Sequence, residues 1–269
     1  MPMNVCIAGA TGWTGSVVAR HMILSDEFEV VGALARTQAG SDLGQAVGLA
    51  PNGVPMVQTL DEVVATGAKP DVLVDYTAPN SVKDRTFAAL AQGIRVVIGT
   101  SGLTAADYVE IEQAATAAGL GVIAAGNFSI TAALAKHFSL LAARHLPSWE
   151  IIDYASAGKA DAPSGTTQEL AESMGEIARS EIALPVDQIH GPKEARGAAI
   201  GGTQVHSVRL PGFVIAFETI FGLPDERLTI RHDAGSGAEP YAAGTLLATK
   251  KVMHTTGLIR GLDQLLFSD

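Results

Sequence analysis

Residues 4–15 read Asn4-Val5-Cys6-Ile7-Ala8-Gly9-Ala10-Thr11-Gly12-Trp13-Thr14-Gly15. Asn4–Ala8 is a short apolar, β-rich run, and Thr14–Leu24 has the pattern of a helix. Glycines 9, 12 and 15 fill the turn between them. Glycine in a strand-to-helix turn permits a tight bend, a close approach of backbone to a pyrophosphate, and close packing of helix on strand. The helix N-terminus adds unpaired N–H groups and a positive dipole end. This GxxGxxG spacing marks Gly9, Thr11, Gly12, Trp13, Thr14 and Gly15 as a dinucleotide-binding loop; a purely structural glycine turn is the alternative.

Outward from that loop, the next strand, Glu29–Ala35, ends in Gly32-Ala33-Leu34-Ala35-Arg36-Thr37. A site for NAD would place a carboxylate here, against the ribose 2′-hydroxyl. Arg36 stands there instead, and a guanidinium suits a 2′-phosphate. NADPH is therefore the expected cofactor, with NADH left open. Short strands and helices then alternate: Leu60–Ala65 helical, Val72–Asp75 extended, Val82–Gln92 helical, Arg95–Ile98 extended, Thr104–Ala118 helical and Gly121–Ala125 extended. Such alternation implies crossovers in a parallel sheet. The unalternating apolar run Val72-Leu73-Val74 fits a strand covered on both faces.

After Asn127 the pattern changes. A long helix, Ile130–Arg144, precedes a strand at Glu150–Ala155, a helix ending near Ile177, and a polar loop over residues 183–202. The extended runs Thr203–Leu210, Val214–Phe221 and Arg227–His232 follow without intervening helices, as in a mixed, largely antiparallel sheet. Helices at Tyr241–Met253 and Leu262–Phe267 close the chain. The expected fold class is α/β. It combines a Rossmann-type doubly wound parallel sheet with a second α/β domain. The expected boundaries are residues 1–126 for the dinucleotide domain, with 240–269 packing back on it, and 127–239 for substrate binding and oligomerisation.

Composition agrees with two modest domains. The chain has 269 residues, 47% apolar and 17% charged, with a net charge of −10. An acidic chain of this kind argues against a nucleic-acid partner. The single cysteine, Cys6, sits in the first apolar run and reads as a small buried hydrophobe. The N-terminus lacks the pattern of a signal peptide. The most membrane-like stretch, residues 119–138, carries Asn127, Ser129, Thr131 and Lys136, so no membrane partner is expected and cytoplasmic location is the default. The seven histidines are scattered without ligand spacing, and no metal site is expected. His206 and His232 lie on strands of the second domain and are read as structural, with access to a substrate cleft as the alternative.

The second chemical feature is Lys159-Ala160-Asp161-Ala162-Pro163-Ser164-Gly165-Thr166. Small residues and hydroxyls at a helix start make an anion site fit for a substrate carboxylate, and Lys159 beside it could donate a proton. An ordinary capped loop with a surface lysine is the plainer alternative. In this octapeptide the chain resembles the dihydrodipicolinate reductase family, which carries HHxxKxDAPSGT at this point. The resemblance extends to Gly9–Gly15, to Asp75-Tyr76-Thr77-Ala78-Pro79, to Val97-Ile98-Gly99-Thr100-Ser101-Gly102 and to Asn127-Phe128-Ser129, in the same order and from end to end. It implies a homotetramer and makes Lys159 the counterpart of the family's catalytic lysine. By the same resemblance, Ser101, Ser156, Ser164, Gly165 and Thr166 fall at substrate positions. Gly12, Trp13, Arg36, Thr77, Gly99, Thr100, Asn127 and Phe128 fall at cofactor positions.

The chain departs from the family where it matters for substrate. Ala155 and Ser156 replace the histidine pair, and Gly237-Ala238-Glu239 lacks the arginine usual before the last long helix. The expected activity is therefore an NADPH-dependent reduction of a C=N carbon in a small carboxylate-bearing imine or enamine, by an enzyme with an altered pocket. The alternatives are a 4-hydroxy-tetrahydrodipicolinate reductase proper, an amine or amino-acid dehydrogenase, and a non-catalytic dinucleotide-binding regulator.

Overall fold

The computed structural model describes residues 1–267. Its elements run β1 (Met3–Ala8), α1 (Trp13–Ile23), β2 (Phe28–Leu34), α2 (Leu43–Ala46), β3 (Met56–Val57), α3 (Leu60–Ala65), β4 (Val72–Asp75), α4 (Pro79–Ala91), β5 (Arg95–Ile98), α5 (Ala105–Ala118) and β6 (Gly121–Ala124). There follow α6 (Ile130–Ala143), β7 (Ser148–Ala155), α7 (Gly165–Ile177), β8 (Ala198–Ile200), β9 (Thr203–Arg209), β10 (Ile215–Leu223), β11 (Glu226–Ala234), α8 (Glu239–Lys251), β12 (Gly257–Arg260) and α9 (Leu262–Phe267). The chain divides into two compact units. One holds Met1–Ile130 with the chain from Ala238 on, and the other holds Thr131–Gly237.

The first unit is built on a seven-stranded sheet in the order β12-β6-β5-β4-β1-β2-β3, and each pairing is parallel. The strand order reverses between β1 and β4. Val5 pairs with Val30 on one side and with Val72 on the other. Strands β4 and β6 are buried along their whole length, as strands with both faces covered must be. Helix α5 opens on a reciprocal capping box between Thr104 and Asp107 and ends at Gly119 in the left-handed conformation. Helix α4 begins at Pro79, earlier than the apolar pattern suggests, because proline at the first helical position forfeits no hydrogen bond. The edge strand β12 was not expected. Its four residues follow Thr255-Thr256 without an alternation to mark them, and only pairing with β6 makes them a strand.

The second unit carries a five-stranded mixed sheet in the order β11-β10-β7-β9-β8. Only β7 and β9 run parallel; the other pairs are antiparallel. Strand β7 alternates, burying Trp149, Ile151, Asp153 and Ala155. Residues from α6 and α7, among them Ala132, Ala135, Leu170 and Met174, join Trp149, Ile151, Phe217 and Phe221 in one core. Strand β8 lies inside the loop expected over residues 183–202 and exists through its antiparallel pairing with β9.

Asp153 is the fully buried charge in this core. Its Oδ1 accepts the Ser164 hydroxyl at 2.6 Å and the Thr167 hydroxyl at 2.8 Å; its Oδ2 accepts the Ser164 N–H at 3.0 Å and Arg209 Nη2 at 2.7 Å. The carboxylate thereby ties the start of α7 to β7 and β9. Burial raises the acid's pKa, but the donors from Ser164, Arg209 and Thr167 outweigh it and hold the carboxyl below its ordinary value. A depressed folded pKa gives stability that is present above the unfolded value, about 3.9, and lost as pH falls through the folded one. Asp153→Asn should then cost about 3–5 kcal/mol at pH 7, the usual range for breaking a buried pair. It should also flatten the acid limb of the stability curve. Urea denaturation of wild type and variant at pH 7 and at about pH 2.5, below the unfolded pKa, checks this, and an acid limb that the variant leaves unchanged would refute it.

Candidate functional site

The glycine turn after β1 is held by backbone alone. Gly9 N–H bonds Leu34 O and Gly12 N–H bonds Gly9 O, both at 2.9 Å. Gly9 has a φ of +77°, and a Cβ there would stand 2.3 Å from the Tyr76 carbonyl oxygen. A Cβ at Gly15 would stand 2.1 Å from the Gly9 oxygen. The first bond of α1 runs from Ser16 N–H to Gly12 O, so the N–H groups of Trp13, Thr14 and Gly15 precede it. Gly12 and Trp13 are exposed, whereas Thr11 and Thr14 are half-buried. The Trp13 ring meets Tyr241 edge-on, 5.8 Å between centroids. Arg36 follows β2 in an exposed position, and among the described residues no ion-pair partner holds it. Glycines that admit no side chain, open N–H groups and an exposed guanidinium suit a phosphorylated dinucleotide.

The turns after β4 and β5 approach the same strand ends. Tyr76 N–H bonds Ala8 O and Gly99 N–H bonds Asp75 O, both at 2.9 Å. A Cβ at Gly99 would lie 2.1 Å from the Tyr76 ring, so only glycine lets that ring pack there. Thr77 and Thr100 were expected at the cofactor. Their hydroxyls bond Asp75 Oδ1 at 2.6 Å and 2.9 Å. Ser101 is exposed beside them. Phe128 is buried, with its ring edge-on to Tyr76 at 6.1 Å, and Asn127 Oδ1 accepts the Ser129 N–H at 2.8 Å. Burial raises the Tyr76 phenol pKa well above its ordinary value, and its hydroxyl lies 2.6 Å from Thr245 Oγ1.

In the second unit, Lys159 is half-buried and pairs with Asp161 at 2.7 Å. That bond lowers the Asp161 pKa. Lys159 N–H bonds the Ser156 carbonyl at 3.0 Å, and Arg209 Nη2 bonds the Asp161 carbonyl at 2.7 Å. Ser164 was expected to offer its hydroxyl to a ligand, but that hydroxyl faces Asp153. Gly165 and Thr166 open α7 ahead of its first bond, Gln168 N–H to Ser164 O at 2.9 Å. Ala155 is fully buried and Ser156 exposed. His206 Nε2 sits 2.7 Å from Glu150 Oε2, and His232 Nε2 sits 3.1 Å from Thr131 Oγ1. Burial lowers the His232 pKa. Sequence reasoning missed Asp75, Arg85, Asp153 and Arg209. The available signal was a carboxylate inside an otherwise apolar strand, which a folded chain must satisfy. Among the described residues no three His, Cys, Asp or Glu side chains gather as metal ligands, and no helix is long and apolar enough to cross a membrane.

Comparison with known proteins covers nearly the whole chain. The family model described as dihydrodipicolinate reductase, N-terminus, matches residues 3–128, and that described as dihydrodipicolinate reductase, C-terminus, matches residues 128–266. The chain is 40% identical over 266 residues to a 4-hydroxy-tetrahydrodipicolinate reductase of Moorella thermoacetica, covering 98% of each chain. It is 36% identical over 264 residues to one of Desulfitobacterium hafniense, with the same coverage. Among solved structures, a dipicolinate-bound dihydrodipicolinate reductase from Paenisporosarcina sp. TG-14 superposes with a TM-score of 0.86 at 32% identity, over 98% of this chain and 100% of the other. The chain therefore belongs to the dihydrodipicolinate reductase family, a family of nicotinamide-dependent oxidoreductases.

Proposed function

We propose that the protein is a 4-hydroxy-tetrahydrodipicolinate reductase using NADPH. The observation that carries this reading is the loop over Lys159–Thr166, whose lysine and open helix start survive on a chain related end to end to proteins of that name. This reading takes precedence over the expectation of an altered imine substrate. The first unit would serve as the dinucleotide domain and the second as the substrate and oligomerisation domain. When bound, the cofactor would supply a hydride, which the substrate would take up together with one proton as its 4-hydroxyl leaves as water. Gly9–Gly15 hold the pyrophosphate, Arg36 the 2′-phosphate, and the turns at Thr77, Gly99–Thr100 and Asn127–Phe128 the nicotinamide end. The N–H groups of Gly165 and Thr166 bind a substrate carboxylate, with Ser156 as a further polar contact. Lys159 is the proton donor, kept on its loop by Asp161.

A homotetramer is part of the same proposal. The β7 face opposite the helices carries Ile152 and Tyr154, with Val208 and Ile220 on neighbouring strands, and is the surface proposed for self-association.

A second reading rests on Ala155 and Ser156, which stand where the family resemblance implies histidines. A pocket without two imidazoles suits a cyclic imine bearing one carboxylate. Turnover of both substrate classes separates the two. A specificity constant of about 10⁴ M⁻¹s⁻¹ or more on 4-hydroxy-tetrahydrodipicolinate, the ordinary range for metabolic enzymes, supports the main proposal. A much lower value, together with efficient reduction of a monocarboxylate imine, replaces it with the second.

Two substitutions test the residue roles. Arg36→Ala should remove most of the preference for NADPH over NADH, about 10- to 100-fold for a charge-assisted contact; equal dissociation constants in the wild type would refute the role. Lys159→Ala should cut turnover by about two to four orders of magnitude, the range for a positioned acid, with NADPH affinity unchanged. Wild-type turnover in that variant would leave the lysine as a mere neighbour of the helix cap.

A further inference from the structure

Asp75 closes β4 in a fully buried position, and the proposed chemistry makes no use of its carboxylate. Oδ1 accepts Thr77 N–H at 2.9 Å, the Thr77 hydroxyl at 2.6 Å and the Thr100 hydroxyl at 2.9 Å. Oδ2 accepts Arg85 Nη1 at 2.8 Å, and the same nitrogen donates to Thr77 Oγ1 at 2.7 Å. One carboxylate thus joins the turn after β4, the turn after β5 and helix α4. Both turns leave the carboxyl ends of parallel strands beside the reversal of strand order, where open α/β sheets receive their ligands.

A buried ion pair gives little net stability compared with apolar packing of similar volume. Its effect here is on geometry: two adjacent turns share one anchor, and their hydroxyls have a fixed direction. We propose that Asp75, with Arg85, is a positioning pair for the nicotinamide cofactor. It sets the backbone of the Thr77 and Gly99–Thr100 turns and takes up both threonine hydroxyls, so these turns meet the cofactor through backbone groups. The proposal rests on the chain being a nicotinamide-dependent reductase.

The test uses the full-length protein and four variants: Thr100→Val, Thr100→Ser, Asp75→Asn and Arg85→Lys. The dissociation constant for NADPH is read by nicotinamide fluorescence, and the primary isotope effect with NADPH deuterated at C4 is read on the substrate turned over best. Thr100→Val, an isosteric change that should fold, is expected to weaken NADPH binding about 3- to 10-fold, the scale of one lost hydrogen bond. It should also enlarge the isotope effect, because a misplaced nicotinamide slows hydride transfer. Thr100→Ser, which keeps the hydroxyl bonded to Asp75, should recover most of the affinity and isotope effect that Thr100→Val loses. Asp75→Asn and Arg85→Lys should weaken binding further where they fold. A purely structural anchor would lower the melting temperature and leave affinity and isotope effect per active site unchanged, and that result overturns the proposal. Wild-type protein that binds no nicotinamide dinucleotide would overturn the reductase reading itself, a failure visible before any variant is made.

Discussion

Backbone packed directly on backbone, at the point where the turn after β1 meets the turn after β4, is the constraint on which the first unit depends. A side chain at Gly9 would collide with the Tyr76 carbonyl, and one at Gly15 with the Gly9 carbonyl. With no Cβ in the way, the β1 turn lies flat against its neighbour and α1 starts close to the strand ends. Its first N–H groups then face the carboxyl edge of the sheet. The same economy recurs at Gly99, which yields room for the Tyr76 ring, and at Gly244, where a Cβ would stand 2.0 Å from the Phe128 carbonyl. Four glycines thus let the turns after β1, β4 and β5 and helix α8 close on one small volume of the first unit.

A second device appears once in each unit. Asp75 and Asp153 are fully buried carboxylates, each bonded to one arginine, Asp75 to two hydroxyls and Asp153 to three. Both lie on strands and both bind the residues that open the next helix or turn. A charge so placed must be saturated with donors, since an uncompensated one costs several kcal/mol. The saturating donors come from segments far apart in sequence: Arg85 and Thr100 for Asp75, Arg209 and Thr167 for Asp153. Each carboxylate therefore fixes several loops at once, which apolar contacts, being non-directional, would fix less sharply.

These anchors mark the limit of what was legible in the sequence. The glycine turn could be read because its meaning is local: spacing, the adjoining strand and the adjoining helix suffice. The parallel sheet could be read from alternating elements, and the mixed sheet from consecutive strands without helices. The directions of Thr77, Thr100 and Ser164 could not be read. Ser164 was expected to offer its hydroxyl to a ligand and Thr77 and Thr100 to lie at cofactor positions, and the hydroxyls of all three bond a carboxylate supplied by a strand 2–25 residues distant. Strands β8 and β12 escaped for a related reason, since each is too short to declare itself without the partner that pairs it.

The direction of Ser164 bears on how the Lys159 loop can recognise an anion. With that hydroxyl given to Asp153, a carboxylate at the start of α7 must be met by backbone N–H groups and the helix dipole, which have no side-chain charge to neutralise it. The Lys159 ammonium is the cation on this loop, and Asp161 already pairs with it, so lysine and aspartate together leave the loop neutral. Arg209 adds nothing to that balance, because Asp153 offsets it. A substrate with a second carboxylate must then either displace Asp161 from Lys159 or find a cation elsewhere. Ala155 and Ser156 supply none, and Ala155 is enclosed, so an imidazole there would need neighbouring groups to move, whereas the exposed position 156 could accept one directly. On the proposed reading, in which this loop receives a substrate carboxylate, competition with Asp161 for one ammonium is the step at which the chain's charge balance would weigh on its choice of substrate.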